Sequence, residues 1–263
     1  CNKRICMLSL DLTIVCKEYA DAIRCGASEY GLSPDSIIVH ATQTHSAPSA
    51  GSFMLDPDFK GIPEDKDWIK GLDKEYSDYV VIRALEAIKQ ASANMQNVRI
   101  GAASGVEGRL AFNRRAIMKD GTIGMPGPVW NKPLGPNQIR YIEGPIDPEA
   151  GIICIQNENL RTVALMPHYT CHPVHVFVKG RIVSADWPGI WSAELQKIHG
   201  NDCVPLVING CCGNINPWDP FDPDYPNDHI RMGKMLSETI SKVIEQVRFN
   251  TEPVLDYSST KIS

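Results

Sequence analysis

Five of the seven histidines lie in two short segments: His40 and His45 in Ile37-Ile38-Val39-His40-Ala41-Thr42-Gln43-Thr44-His45-Ser46-Ala47-Pro48, and the rest in His168-Tyr169-Thr170-Cys171-His172-Pro173-Val174-His175. Neutral imidazole is the commonest zinc ligand, and a catalytic zinc keeps one position open for water. His172 and His45 are the candidate metal pair on these grounds, with a satisfied structural histidine as the alternative for any single ring. His168 and His172 are four apart, but Pro167 and Pro173 bracket them, so a shared helical face is not expected. A third segment, Asn209-Gly210-Cys211-Cys212-Gly213-Asn214-Ile215-Asn216-Pro217, has glycines where backbone amides could turn onto a developing oxyanion. Cys211 or Cys212 beside a histidine could be a nucleophile, although two adjacent thiols at a strand end read as packing. Arg114 and Arg115 could clamp an anionic or carbonyl oxygen, or stand as a solvated charged turn.

Each segment follows or contains an apolar run that reads as a strand: residues 37–39, 162–166 and 205–208. In α/β proteins ligands are held at the carboxyl ends of such strands, so these ends must converge if the segments act together. Residues 4–15 read as a strand in which Asp11 is a satisfied polar group rather than a ligand, and 17–30 as a helix closed by Gly31. With the strand at 37–39 this makes β-α-β, which predicts a parallel pair. The apolar spacing over 72–95 and 228–247 predicts amphipathic helices, and 98–106 a strand. Residues 151–155 and 161–166 form a hairpin across Asn157-Glu158-Asn159. Residues 182–186 end a strand that feeds a helix from Trp187-Pro188 to His199, with Asp186 as its cap. The loop 49–70, with Phe53, Phe59 and Trp68, is a lid or substrate wall, and the Pro- and Gly-rich 119–148 a connector over the active face. No internal repeat is visible. The expected fold is α/β: a mixed, mostly parallel sheet flanked by helices in a single layered domain.

The 263 residues carry a formal net charge of -5 with 43% hydrophobic composition. That balance lacks the clustered Lys and Arg of a nucleic-acid surface, and no apolar run reaches the roughly 18 residues of a membrane span. Nine cysteines without a C-x-x-C pair argue against a zinc knuckle. Cys6, Cys16, Cys25, Cys154 and Cys203, in apolar or amphipathic segments, are expected to be buried free thiols. Residue 1 is a Cys directly before a strand, as in a trimmed chain; a lost leader would fit a secreted or periplasmic protein, and a cytoplasmic one is equally open. Composition leaves the oligomeric state undetermined.

The Thr42 to Pro48 segment, Asn113-Arg114, Cys171-His172-Pro173, Ser184-Ala185-Asp186 through Gly189, and Gly213-Asn214-Ile215-Asn216-Pro217 together resemble, in order and spacing across nearly the whole chain, the N-terminal catalytic domain of the neutral, non-lysosomal ceramidase superfamily. The resemblance implies a zinc amidase of small-molecule or lipid N-acyl substrates, with residues 1–263 as a catalytic domain cut at both ends. It implies that His172 is a zinc-binding histidine, that His45 lies near the scissile carbonyl and that Arg114 is on the substrate side. It further implies substrate contacts from Gln43, Asn113, Gly213 and Asn214. Two departures stand out. Gln43 occupies the place of a zinc-ligating histidine, and Asn216 and Asn214 replace the family's loop Ser and Asp. The resemblance implies that the family's remaining ligands, a Glu and a Tyr, would lie in a later region, outside these 263 residues. The leading expectation is therefore a metal-dependent hydrolase that cleaves an amide C–N bond with a metal-activated water, in which His45, Arg114 and Asn216 are catalytic. A catalytically silent relative that binds lipid or glycan is the alternative.

Overall fold

A computed structural model describes residues 3–52, 59–61, 63, 65, 66, 69, 71, 73–125, 138–222 and 224–260. The chain opens with β1 (Cys6–Leu10), α1 (Lys17–Gly26) and β2 (Ile37–Ala41), and β1 pairs with β2 in parallel as the β-α-β pattern requires. α1 turns Ala20 and Ile23 inward and gives way to a 3-10 turn over Ala27–Tyr30, which Gly31 closes at φ 75°. α2 (Lys74–Ala93) begins where the Asp73 carboxylate accepts the Tyr76 amide, and it packs Ala84 and Ile88 onto Ile23, Ala27 and Ile37. The short strand β1 ends at Leu10 because residues 11–13 bend; there Asp11 accepts a hydrogen bond from the Thr42 hydroxyl at 3.2 Å. Asp11 is thereby a satisfied polar group.

β3 (Val98–Val106), β8 (Glu149–Asn157) and β9 (Thr162–Tyr169) are the long strands, and β13 (Arg248–Asn250) adds to the β3 edge. All these pairings are antiparallel; only β10 (Val204–Pro205) and β11 (Ile208–Asn209) join β9 in parallel. The sheets are thus mixed and largely antiparallel, not mostly parallel. The reason lies in the connections: the short tip after Asn157 can only reverse the chain, whereas β9 reaches β10 through a helix, α3 (Asp186–His199). α3 and α4 (His229–Ile244) cover this sheet, and the Asp228 carboxylate caps α4 by accepting the Ile230 and Arg231 amides. Between them lie Leu165, Trp187, Trp191, Leu195, Leu236 and Ile240, all fully buried. Each aliphatic side chain there contributes about 1.5–3 kcal/mol by leaving water.

Three expectations change. Residues 182–186 form no strand, and Asp186 is the first residue of α3 with φ 56°, not a residue outside it. The stretch 119–148 is partly built: β5 (Ala116–Met118) pairs with β6 (Ile123–Gly124) and β7 (Ile139–Ile142) in a small sheet, while 126–137 lie outside the described residues. Cys154 and Cys203 are buried free thiols, but Cys25 is exposed. Phe53 and Trp68 lie outside the described residues, and Phe59 is exposed. No helix among the described residues is long and apolar enough to cross a membrane.

Candidate active site

Backbone hydrogen bonds stitch four loops together at the strand ends. Thr42 and Gln43 donate their amides to Leu10 and Leu12, extending the β1–β2 alignment past Ala41. Gln43 then takes a left-handed conformation, φ 65°, which costs a non-glycine residue about 1–2 kcal/mol and turns the chain. The His45 amide donates to the Pro173 carbonyl at 3.0 Å, the His172 amide to Ile215 at 3.1 Å, and the Arg114 amide to Asn214 at 2.8 Å. β4 (Phe112–Asn113) pairs with β12 (Ile215–Asn216), which fixes Arg114 beside the glycine loop. Sequence neighbours from residues 42–48, 112–114, 171–175 and 213–217 therefore meet in one place.

At that place the rings of His45 and His172 stand 5.4 Å apart, tilted by 67°. His172 Nδ1 faces the Ile215 carbonyl at 2.9 Å; a carbonyl only accepts, so Nδ1 carries the proton and Nε2 keeps its lone pair. Burial, reinforced by Arg114 and His45, outweighs that bond and pulls His172 down to about 4, so the ring is neutral near pH 7. Burial also lowers His45, with Arg114 adding to it and Asp186 opposing. Phe177 closes the other side of His45, edge-on at 5.8 Å.

The two arginines separate. Arg115 pairs with Glu143 at the surface. Arg114, half-buried, has no carboxylate at ion-pair distance among the described residues, and its charge reaches both rings. A cation free of a counterion next to two neutral imidazoles can stabilise negative charge as it develops.

Gln43 is turned to another task. Its Oε1 accepts the Cys212 thiol at 3.0 Å, while Asn209 donates Nδ2 to the Thr42 carbonyl at 2.8 Å and takes the Cys171 amide on Oδ1 at 3.2 Å. Burial pushes the Cys212 thiol up to about 11, which removes it as a thiolate nucleophile. Gly210 permits this close weave, since a Cβ there would meet Thr170 Oγ1 at 2.1 Å; a Cβ on exposed Gly213 would meet nothing within 4 Å. Asn113 commits its carboxamide to the chain, Nδ2 to the Pro145 carbonyl and Oδ1 from the Arg115 amide. Asn214 meets Arg114 through its carbonyl, and Asn216 is buried in β12.

The other histidines of the two segments stand apart from this pair. His40 Nε2 lies 3.2 Å from both the amide and the carbonyl of Asn209, and Nδ1 lies 2.9 Å from Ser9 Oγ, whose hydroxyl donates to Val207 at 2.8 Å; His40 thereby joins the β1–β2 sheet to β11. His175, fully buried, faces the Asp186 carboxylate at 3.1 Å, and Asp186 also accepts the Val176 and Trp187 amides. This buried carboxylate, which holds the His172 loop against α3, is the residue whose part the sequence reading missed: read as a helix cap, it gave no sign of its tie to His175.

As a zinc site the set is incomplete. His172 spends Nδ1 on the Ile215 carbonyl and His45 is adjacent, but Gln43 is engaged with Cys212, and among the described residues no three His, Cys, Asp or Glu side chains group around a metal-sized space. Two imidazoles do not close a tetrahedral zinc site.

No protein-family model and no curated protein matches the sequence. Solved structures do. The crystal structure of neutral ceramidase from Pseudomonas aeruginosa superimposes with a TM-score of 0.66 at 17% identity, covering 94% of this chain and 37% of that one. The fold is that of neutral ceramidase. A ceramidase solved in complex with C2 gives the same TM-score at 16% identity, over 94% of this chain and 36% of that one. The chain thus spans little more than a third of the ceramidases that it matches.

Proposed function

We propose that this chain forms the catalytic face of an amide hydrolase of the neutral ceramidase type, acting on an N-acyl substrate. The observation that carries the reading is the meeting of two neutral imidazoles, His45 and His172, with the cation Arg114, which has no carboxylate at ion-pair distance among the described residues, on the ceramidase fold. A neutral imidazole can take a proton from water as the water oxygen bonds to the acyl carbon. His45, exposed where His172 is buried, is assigned this role. Arg114 and the amides of the Gly213 loop would steady the oxygen that gains charge. When the C–N bond breaks, the proton held on His45 passes to the departing nitrogen, giving a carboxylic acid and an amine. His172, anchored through Nδ1, would orient the reacting group through Nε2. Asn216 and Asn113 would order the loop beneath, with Gln43 and Asn214 at its substrate side. A zinc ion would have only His172 and His45 as partners among the described residues.

A second reading has one observation in its favour: Gln43 is bonded to Cys212 instead of facing His172, as in a relative that binds lipid or glycan without cleaving it. Fatty-acid release from N-acyl substrates, measured on purified protein with and without added zinc and alongside its metal content, separates the two. Release that disappears in His45→Ala supports hydrolysis. Binding without release, with no metal bound and no zinc stimulation, supports the silent relative.

A further inference from the structure

The loop after His175 carries a surface that the proposed reaction does not use. Phe177, Ile182 and Val183 are 40%, 52% and 80% exposed, and the exposed cations Lys179 and Arg181 lie between them. The segment runs through a 3-10 turn over Phe177–Lys179 and then Gly180, whose φ of 108° favours glycine. Its two ends are fixed, one by the Val176 amide on Asp186 at 2.8 Å and the other by the Ser184 amide on the Ser46 carbonyl at 2.9 Å. Phe177 connects this surface to the site, because its ring stands against His45. Among the described residues neither cation has a carboxylate at ion-pair distance. The charge of Lys179 reaches Asp228 and His229, but the Asp228 carboxylate accepts the first amides of α4.

Single apolar side chains on a surface are ordinary; an apolar group interleaved with cations is the composition of an interfacial anchor. We propose that residues 177–183 dock the protein on an anionic lipid surface, with Ile182 and Val183 entering the headgroup boundary and Lys179 and Arg181 facing lipid phosphates. Charge complementarity selects this occupant: the chain as a whole carries -5 and is repelled by such a surface, so the basic loop sets which face approaches. Docking there would place His45 at the membrane boundary, where an N-acyl lipid would be within reach; that part alone rests on the hydrolase reading.

Co-sedimentation of the full chain with vesicles of phosphatidylcholine, with and without phosphatidylglycerol, tests it. The expected result is binding to the phosphatidylglycerol vesicles that weakens as salt rises. Removing both charges, Lys179→Gln with Arg181→Gln, should weaken it about 25-fold, from roughly five-fold per cation. Ile182→Asp with Val183→Asp should abolish it, while all variants melt like the parent and process a soluble short-chain N-acyl substrate equally. A parent that ignores anionic vesicles, or variants that bind as the parent does, would overturn the proposal. A parent that binds vesicles but cleaves nothing would sink the hydrolase reading and leave the docking surface standing.

Discussion

Two histidines three residues apart on one loop have opposite surroundings. His175 is sealed against the Asp186 carboxylate, which also gathers two backbone amides. His172 faces a neutral carbonyl on one side and, on the other, His45 with the field of Arg114. Here the carboxylate beside His175 is tied into the loop backbone and holds architecture, whereas His172, kept neutral beside a cation, faces a second imidazole. The contrast shows that histidine content alone could not have sorted the two.

The largest expected effect follows from that division. His45→Ala should lower the rate of amide cleavage by roughly 10²–10⁴-fold while the melting temperature moves little, and steady-state kinetics beside thermal unfolding read both. Asp186→Ala should do the reverse first. It leaves His175 and two amides unpartnered in the core, so urea unfolding should show a loss of about 3–5 kcal/mol. If His45→Ala unfolds the protein and Asp186→Ala leaves it intact, the assignment of roles is inverted.

Acid distinguishes the two regions next. His172 binds its proton less tightly in the folded state, at about 4 against 6.5 for the free group. Unfolding free energy should therefore fall as pH drops from about 6.5 to 4, by about 3 kcal/mol, and level below that. Asp186 behaves differently. Burial pulls its carboxyl up, but His175 and the two amides outweigh it and hold the group below 3.8, so its contribution is present above that pH and lost further into acid. Urea midpoints across pH, with His172→Gln as control, should show the first slope shrink by the share of His172, leaving that of the other lowered histidines such as His45, and the second remain.

How much of this was written in the chain depends on the range of the interaction. The β1–α1–β2 unit, the hairpin of β8 and β9, and the helices α2 and α4 follow from local apolar spacing, with Asp73 and Asp228 at the helix starts. The convergence of His45 and His172 was legible because strand ends collect ligand-type residues. The antiparallel bias was not: β13 joins β3 from the far end of the chain, and no local pattern records that partner. Nor could spacing reveal that Gln43 bonds Cys212, or that Asp186 takes a left-handed backbone within reach of His175. These are tertiary contacts between polar groups whose sequence context reads as loop.

The adjacent arginines give the finest version of the same contrast. Arg115 is spent on Glu143 at the surface, and such exposed pairs contribute about 0–1 kcal/mol. Arg115→Ala should therefore leave activity unchanged and stability nearly so. Arg114, one residue earlier, reaches both imidazoles with its charge and has no carboxylate at ion-pair distance among the described residues. Losing a preorganised donor to a developing oxyanion costs roughly 10²–10³-fold in turnover, so Arg114→Ala should slow the chemical step by that factor, and Arg114→Lys should restore only part of it because the planar fork is gone. The rings should respond as well: with the nearby positive charge removed, His45 and His172 should each titrate at higher pH in an NMR measurement of Arg114→Ala, and neither should move in Arg115→Ala. Equal effects from the two substitutions would mean that Arg114 is an ordinary surface charge, and the proposed reaction would lose its oxyanion support.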